Sequence, residues 1–487
     1  MTGIIGILLA LILLIYLAYR GFSVLLLAPI LALLAVLFAP DSPLLASYTQ
    51  VFMRALGDFV VLYFPLFLLG AVFGKLMEVS GCAHALARWI VGRLGERRAI
   101  LAIVLACAIL TYGGVSLFVV AFAVYPIAAA LFRQANVPKR LIPGTIALGA
   151  FTFTMTALPG TPAIQNAIPM PFFGTTPFAA PGIGIIAAAI MFGVGMAWLA
   201  YRARRAAQAG EGYGESDAPQ AGMTQQPDKA LRPLAAGENY DLAEVGGSTP
   251  AAEEPGAFVA VLPIVLVIAA NYLFSAIIWP ALDTAYLALP LYGETDLQQV
   301  LGVWSIICAL TLSIVVLLAL NLRRIPSVKA ALDDGAAASV LPIFNTASLV
   351  GFGAVIASLG AFALIRDGVL GIAPGNPLIS LAVAVNILAG ITGSASGGMS
   401  IALQTLGDSY LAMGQEAGIA PALLHRVTAV ATGGLDSLPH NGAVITLLSI
   451  CGLTHRKAYF DIFVVAVLGP WLALIAIVAI GTFWGAF

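Results

Sequence analysis

The sequence predicts an all-α polytopic membrane protein made of two inverted repeats, each with about five spanning helices, one of them broken, and one re-entrant hairpin. Three observations carry that expectation. Of the 487 residues 61% are hydrophobic and 9% charged, with a mean hydropathy of +1.01, so the chain cannot clothe itself in an ordinary water-facing surface. The stretch 156–169, TALPGTPAIQNAIP, lies in an apolar segment yet holds three prolines, a glycine, two threonines, a glutamine and an asparagine, so no continuous helix passes through it. Residues 436–446, DSLPHNGAVIT, repeat that break: Leu438, Pro439, Ala443 and Val444 answer Leu158, Pro159, Ala163 and Ile164 at a constant offset of 280. Broken helices in corresponding positions of two halves point to the binding site of a secondary transporter.

Taken in order, the first half has spans near 3–19 and 21–38, a polar loop at 40–50 and a span near 56–79, each about long enough to cross ~30 Å of hydrocarbon. The first run has no positive residues before it and Arg20 after it, so it reads as a spanning helix and not a cleaved signal. Residues 83–94, with Arg88 and Arg93, read as an amphipathic interfacial piece. The apolar run 100–132 is too long for one span and is interrupted at TYGGVS, 111–116; it is either one kinked helix or two arms of a hairpin. The broken segment follows at 141–171, and a last span at 182–201.

Hydropathy collapses over 204–255, where acids outnumber bases and Gly, Ala, Gln and Pro dominate, the composition of a solvated linker. The second half then replays the first: spans near 257–278, 301–320 and 336–365, a long run 378–413 interrupted at 392–398, a broken segment 421–453 and a final span 460–483. The expected organisation is a first membrane repeat over 1–203, a cytoplasmic linker over 204–256 and a second repeat over 257–487, each repeat packing against its twin.

Basic residues orient the chain. With five crossings and one hairpin per half, an outside N-terminus puts all of the 22 lysines and arginines except Arg54, Arg366 and Arg426 on the cytoplasmic side. Six crossings per half would scatter them, so the count favours hairpins, a cytoplasmic linker and both termini periplasmic or extracellular, in a bacterial inner membrane. The near-neutral net charge of -1 gives no footprint for nucleic acid. Cys82, Cys107, Cys308 and Cys451 are too scattered for a disulfide framework or a metal site. No HExxH, GxSxG or Walker motif is present, which argues against an embedded enzyme or an ATP-driven pump and implies no cofactor. A channel would want rings of like groups and a continuous pore.

An anionic ligand at mid-membrane needs donors, and an unpaired permanent charge would be costly whenever the site is empty. Half-helix N-termini supply donors through free N–H groups and their dipoles. Gly160, Thr161, Gln165 and Asn166 in the first break and Asn441 in the second fit that role. The hairpin-tip residues Thr111, Gly113, Gly114, Ser116, Thr392, Ser394 and Ser396 would close the cage. The same hydroxyls could instead bond back to carbonyls one turn earlier, with the glycines allowing close packing. Coupling needs a titratable group, and Asp436 and His440 flank the second break where the first has Thr156 and Gly160. Asp408, Glu416 and His425 are expected to be solvated, and Asn271, Asn345 and Asn386 to bond between helices. The absence of arginine from breaks and tips points to a ligand with one carboxylate.

LTYGGVSLFVVAFAVYP, IPGTIALGAFTFTMTALPGTPAIQNAIP and FFGTTPFAAP, in that order and spacing, resemble the gluconate:proton symporter (GntP) family of the ion-transporter superfamily. The resemblance is specific in the first half and looser over the rest outside the linker. It implies proton-coupled import of gluconate or a related sugar acid, with short hydroxy acids such as 3-hydroxybutyrate served by some members. Sodium coupling stays open, because Ser, Thr, Asn and unwound carbonyls can cage that ion too. The superfamily implies a homodimer with a static scaffold and a mobile domain of hairpins and broken helices that works as an elevator.

Overall fold

The computed structural model describes residues 2–20, 22–40, 42–214, 254–373, 375–439 and 441–487, and every regular element among them is helical. Most of the expected linker lies outside the described residues, as does His440. The first half comprises α1 (Thr2–Tyr19), α2 (Val24–Leu37), α3 (Leu44–Val79), α4 (Cys82–Leu94), α5 (Ala99–Tyr112) and α6 (Leu117–Gln134). It continues with the short pieces α7 (Ile142–Ala150), α8 (Phe153–Thr156), α9 (Ile164–Ala167) and α10 (Pro169–Phe173), and ends in α11 (Pro181–Gln208). The second half comprises α12 (Ala257–Ala281), α13 (Leu297–Asn321), α14 (Val328–Ser358), α15 (Phe362–Leu370), α16 (Pro377–Thr392) and α17 (Ala395–Glu416). After these come α18 (Pro421–Thr432), α19 (Gly442–Ile450) and α20 (His455–Trp484).

Seven of the described helices (α3, α6, α11, α12, α13, α14 and α20) are long and apolar enough to cross a membrane; α1, α2 and α16 are apolar but shorter. This is a polytopic membrane protein. Both expected breaks are present, as α7 to α10 and as α18 with α19. Several boundaries differ from expectation: the span expected at 336–365 ends at Ser358 with α15 separate, the last span starts at His455, and two other boundaries come early. The loop expected at 40–50 is already helical from Leu44, with a π-helical stretch at Ser47–Phe52, because Phe52 is buried against α14. α14 begins two turns before the expected 336: Ser327 caps it by accepting from the Ala330 amide at 3.2 Å, so its first turns can carry Lys329, Asp333 and Asp334.

α3 and α14 make the most extensive helix pairing in the molecule. A Cβ on Gly335 would lie 2.8 Å from Val72 Cα, and one on Gly351 would lie 2.9 Å from Phe52 O. The pairing of 335 with 72 and of 351 with 52 means that the helices run antiparallel, backbone against backbone, as small residues allow. At one end Lys75 Nζ lies 3.5 Å from Glu78 and 4.0 Å from Asp334. α1 and α2 pack on this pair through a separate apolar cluster that includes Phe52, Phe352 and Val355.

The hairpin α5/α6 turns at residues 113–116 and α16/α17 at residues 393–394, and the arms of each pack on one another. α11 packs along α20. The buried Asp461 of α20 accepts from Arg202 Nε at 2.8 Å, Trp198 Nε1 at 3.0 Å and Arg140 Nη1 at 3.3 Å, which ties the start of the first broken segment to the last span of the chain. Arg140 also pairs with Glu211 at 2.6 Å and holds that carboxyl below the usual glutamate range.

The backbone contact at Gly335 is testable. Gly335→Val should lower the melting temperature of the detergent-solubilised protein by the equivalent of about 1–3 kcal/mol of overpacking. Gly57→Ala, with open space around its Cβ, should leave it unchanged or raise it. Equal effects of the two would contradict close packing of α3 on α14.

Candidate functional site

The first break is held open by donors from elsewhere in the chain. Helix α8 stops at Thr156; Gly160 has φ 81° and would drive a Cβ into the Phe178 ring, so the turn needs glycine. Tyr112 Oη donates to Pro159 O at 2.6 Å, Asn271 Nδ2 donates to Gly160 O at 3.1 Å, and the Gly160 amide donates to Pro177 O at 2.9 Å. Asn166 Nδ2 bridges Thr161 O and Pro177 O, both at 3.0 Å. Mid-bundle carbonyls freed by a broken helix are thereby satisfied.

The second break runs from Gly433 to Asn441. Gly434 has φ 147°, and Asp436 Oδ1 accepts from its amide at 3.0 Å and from Ser437 Oγ at 3.1 Å. Tyr459 Oη donates to Ser437 O at 3.1 Å. Asn441 caps α19, its Oδ1 accepting from the Ala443 and Val444 amides at 2.7 and 3.2 Å, and its Nδ2 donates to Gly393 O in the second hairpin tip at 2.6 Å.

Both breaks and both hairpin tips face one cavity of about 220 Å³. Thr111, Gly114 and Ser116 come from the first tip, Thr156 and Gln165 from the first break, Ser394 and Ser396 from the second tip, and Asp436, Ser437 and Asn441 from the second break. α3 and α14 close one wall with Gly70, Ala71, Ser339 and Thr346. The first turns of α6, α17 and α19 line the cavity, so three helix N-termini converge on it. Ser396 Oγ lies 3.4 Å from both Thr346 Oγ1 and Ser394 Oγ. Thr111 Oγ1 and Gln165 Oε1 are buried and have no partner among the described residues. Asp436 is the one ionisable side chain among the described lining residues.

Several expected ligand groups support the cage instead of lining it. Gly113 packs against Ile264, where a Cβ would lie 2.6 Å from the isoleucine side chain. Thr392 bonds back to Leu388 O at 2.9 Å and to Ser394 O at 3.1 Å. Thr161 Oγ1 accepts from the Ala163 amide at 3.3 Å, and Gly160 and Asn166 brace the break. Asn386 bonds between helices as expected, donating to Ala431 O at 3.0 Å, whereas Asn271 donates to the turn of the first break; both amide atoms of the buried Asn345 lack a described partner. Asp408 and Glu416 are exposed.

His425 corrects the sequence reading, for it is fully buried, as is Arg426 beside it. Arg426, counted from the sequence among the three bases off the cytoplasmic side, reaches across the interface between halves into the first break. Arg426 Nη1 donates to Asn166 Oδ1 at 3.1 Å, His425 Nε2 lies 3.2 Å from the same atom, and His425 Nδ1 lies 2.6 Å from Thr175 Oγ1. Because the Asn166 amide nitrogen is already donating twice, its oxygen must accept, which fixes a proton on His425 Nε2. The signal in the sequence was an ionisable pair inside the apolar run 423–431. Ser339 and Thr346, also missed, follow one face of α14 with Pro342 between them.

The fold is that of a polytopic membrane protein, and the cavity, lined from both halves, is its candidate ligand site. Residues 1–208 match the model of the GntP family permease. The chain is 45% identical over 484 residues, 98% of either chain, to an uncharacterized transporter, YxjC, of Bacillus subtilis. It is 44% identical over 73 residues, 15% of this chain and 17% of the other, to an uncharacterized transporter of Haemophilus influenzae. The chain belongs to the GntP permease family.

Asn166→Ala would strip Arg426 and His425 of an acceptor and two carbonyls of a donor, and should destabilise the solubilised protein by about 3 kcal/mol or more. Asn441→Ala, which removes one helix cap, should cost about 1 kcal/mol. Thermal unfolding of the two variants checks the order, and the reverse order would contradict the bracing role of Asn166.

Proposed function

We propose that the protein is a proton-coupled importer of a short hydroxylated monocarboxylate, with 3-hydroxybutyrate ahead of gluconate. The observation that carries this reading is the convergence of three helix N-termini and neutral donors on a cavity whose one described ionisable group is Asp436. The dipoles of these ends favour a carboxylate, with Ser116, Ser394 and Asn441 capping their first amides. Asp436, in the same cavity, takes the proton that enters with the anion and gives it up on the other side. The lining favours the shorter acid, for Phe118, Phe151, Met155, Ile164 and Leu310 fill much of the wall. Gluconate would press several of its hydroxyls on that apolar surface, where they would lose water without gaining partners.

In this reading the halves over 1–203 and 257–487 are inverted repeats. The antiparallel α3/α14 pairing, the equivalent breaks at offset 280 and the equivalent hairpins support the assignment. Arms as short as α5, at 14 residues, suit hairpins that enter from opposite faces and turn back at the cavity. α3 and α14 are then the scaffold wall, and the hairpins with the broken helices form the mobile body of an elevator, in a homodimer. Arg88, Arg133, Arg140 and Arg202 lie on the same side as the linker ends, with Arg88 paired to Glu254 and Arg133 over the Tyr213 ring, which supports a cytoplasmic linker and outward-facing termini. The hydroxyl cluster Thr346, Ser394 and Ser396 favours sodium as the rival coupling ion.

Proteoliposome uptake tests the reading. Labelled 3-hydroxybutyrate should accumulate under an inward proton gradient without sodium, and be displaced by lactate better than by gluconate or succinate. Asp436→Asn should abolish gradient-driven accumulation and retain exchange. Accumulation that requires sodium, or that leaves Asp436→Asn unaffected, would overturn the coupling assignment; preferential displacement by gluconate would overturn the substrate.

A further inference from the structure

Arg426, in the middle of α18, has the largest of the fully buried side chains. All its hydrogen bonds go to neutral oxygens. Nη1 donates to Thr156 O at 3.2 Å and Asn166 Oδ1 at 3.1 Å, Nη2 to Ala179 O at 2.8 Å and Pro177 O at 3.4 Å, and Nε to Ala179 O at 3.1 Å. Among the described residues no carboxylate pairs with it within 4.0 Å. The titratable groups nearest to it are His425, fixed on Asn166, and Tyr112, whose hydroxyl is donated to Pro159 O.

A full cation without a counter-ion is costly inside an apolar bundle. Satisfying the carbonyls of a break does not require one. Asn271, Tyr112 and Asn386 perform that task here with neutral donors. What arginine adds is its charge, and the cavity lies on the other side of its acceptors. Thr156, whose carbonyl it holds, lines the cavity, and so does Gln165, the chain neighbour of Asn166.

We propose that Arg426 is the fixed counter-charge of the transported carboxylate, a positioning residue that acts through the Thr156 and Asn166 wall without touching the ligand. The inference rests on the proton-coupled reading given above. The empty site then holds Arg426 as a cation and Asp436 as an anion. The loaded site holds the Arg426 cation, protonated Asp436 and one carboxylate. Both forms are neutral, so the site crosses the membrane field without moving charge in either direction. Without Arg426 the loaded form would carry one negative charge.

Exchange of labelled 3-hydroxybutyrate by the full-length protein in proteoliposomes separates these cases. Substrate is saturating and pH equal on both faces, and potassium with valinomycin sets the membrane potential at zero or at about 100 mV. The wild type and Arg426→Lys should exchange at rates independent of potential. Arg426→Gln should become potential-sensitive, slowing about two-fold or more, since one charge moving through the whole field corresponds to about 2.3 kcal/mol per 100 mV. A purely structural arginine would change the amount of active protein and not its voltage dependence. Wild-type exchange that varies with potential, or an active Arg426→Gln that does not, would overturn the proposal. Should Arg426→Gln fail to fold by gel filtration, the wild type and Arg426→Lys decide. Absence of any wild-type exchange would instead take down the transport reading beneath it.

Discussion

A helix that stops inside a bilayer leaves up to four N–H and four C=O groups without partners, and hydrocarbon offers none. The central architecture of this protein follows from where those partners are found. In the first break Tyr112 comes from a hairpin arm, Asn271 from α12 of the other half and Arg426 from α18, so three separate elements are drawn to one loop. In the second, Asn441 closes its own helix and reaches the second hairpin tip. Satisfying the breaks thus gathers the hairpin tips around them, and the cavity is the space that this gathering leaves.

The two breaks are alike in sequence and unlike in charge. Leu158–Pro159 and Leu438–Pro439 repeat the same pair, but the first break is braced by a cation from outside it, whereas the second carries its own carboxylate. A symmetric pair of half-helices would offer the same dipoles from both sides and no means of linking ligand to proton. Asymmetry at a few side chains puts a buried arginine behind one break and a carboxylate in the other. The wall of α3 and α14 contributes small residues and two hydroxyls and no charge among the described lining residues.

How much of this was legible in the sequence depended on whether the signal was local. Proline, glycine and polar residues in an apolar run force a break whatever surrounds it, so both breaks and both tips could be read directly, as could Thr111, Ser116, Gln165, Ser394, Ser396, Asp436 and Asn441 on the cavity wall. The braces were not legible in the same way. Whether Asn166 faces a ligand or an arginine 260 positions away depends on how the halves dock. His425 reads as solvated, like Asp408 and Glu416 near it in sequence, and Arg426 only as a base on the outer side of the membrane; packing across the interface between halves buries both. Gly113 lies in its turn as read, whereas Thr392 is the last residue of α16, and their own contacts, with Ile264 and with a carbonyl one turn back, absorb them into the support.

If elements from both halves form one ligand site, a single bound ligand covers both hairpin tips. Single cysteines at Ser116 and at Ser396, in a background with the four native cysteines replaced, can be labelled with a small thiol-reactive methanethiosulfonate while 3-hydroxybutyrate is titrated in. The account predicts that one concentration range protects both positions, because one ligand sits between the two tips. Protection of one position only, or of neither at concentrations that saturate transport, would contradict it.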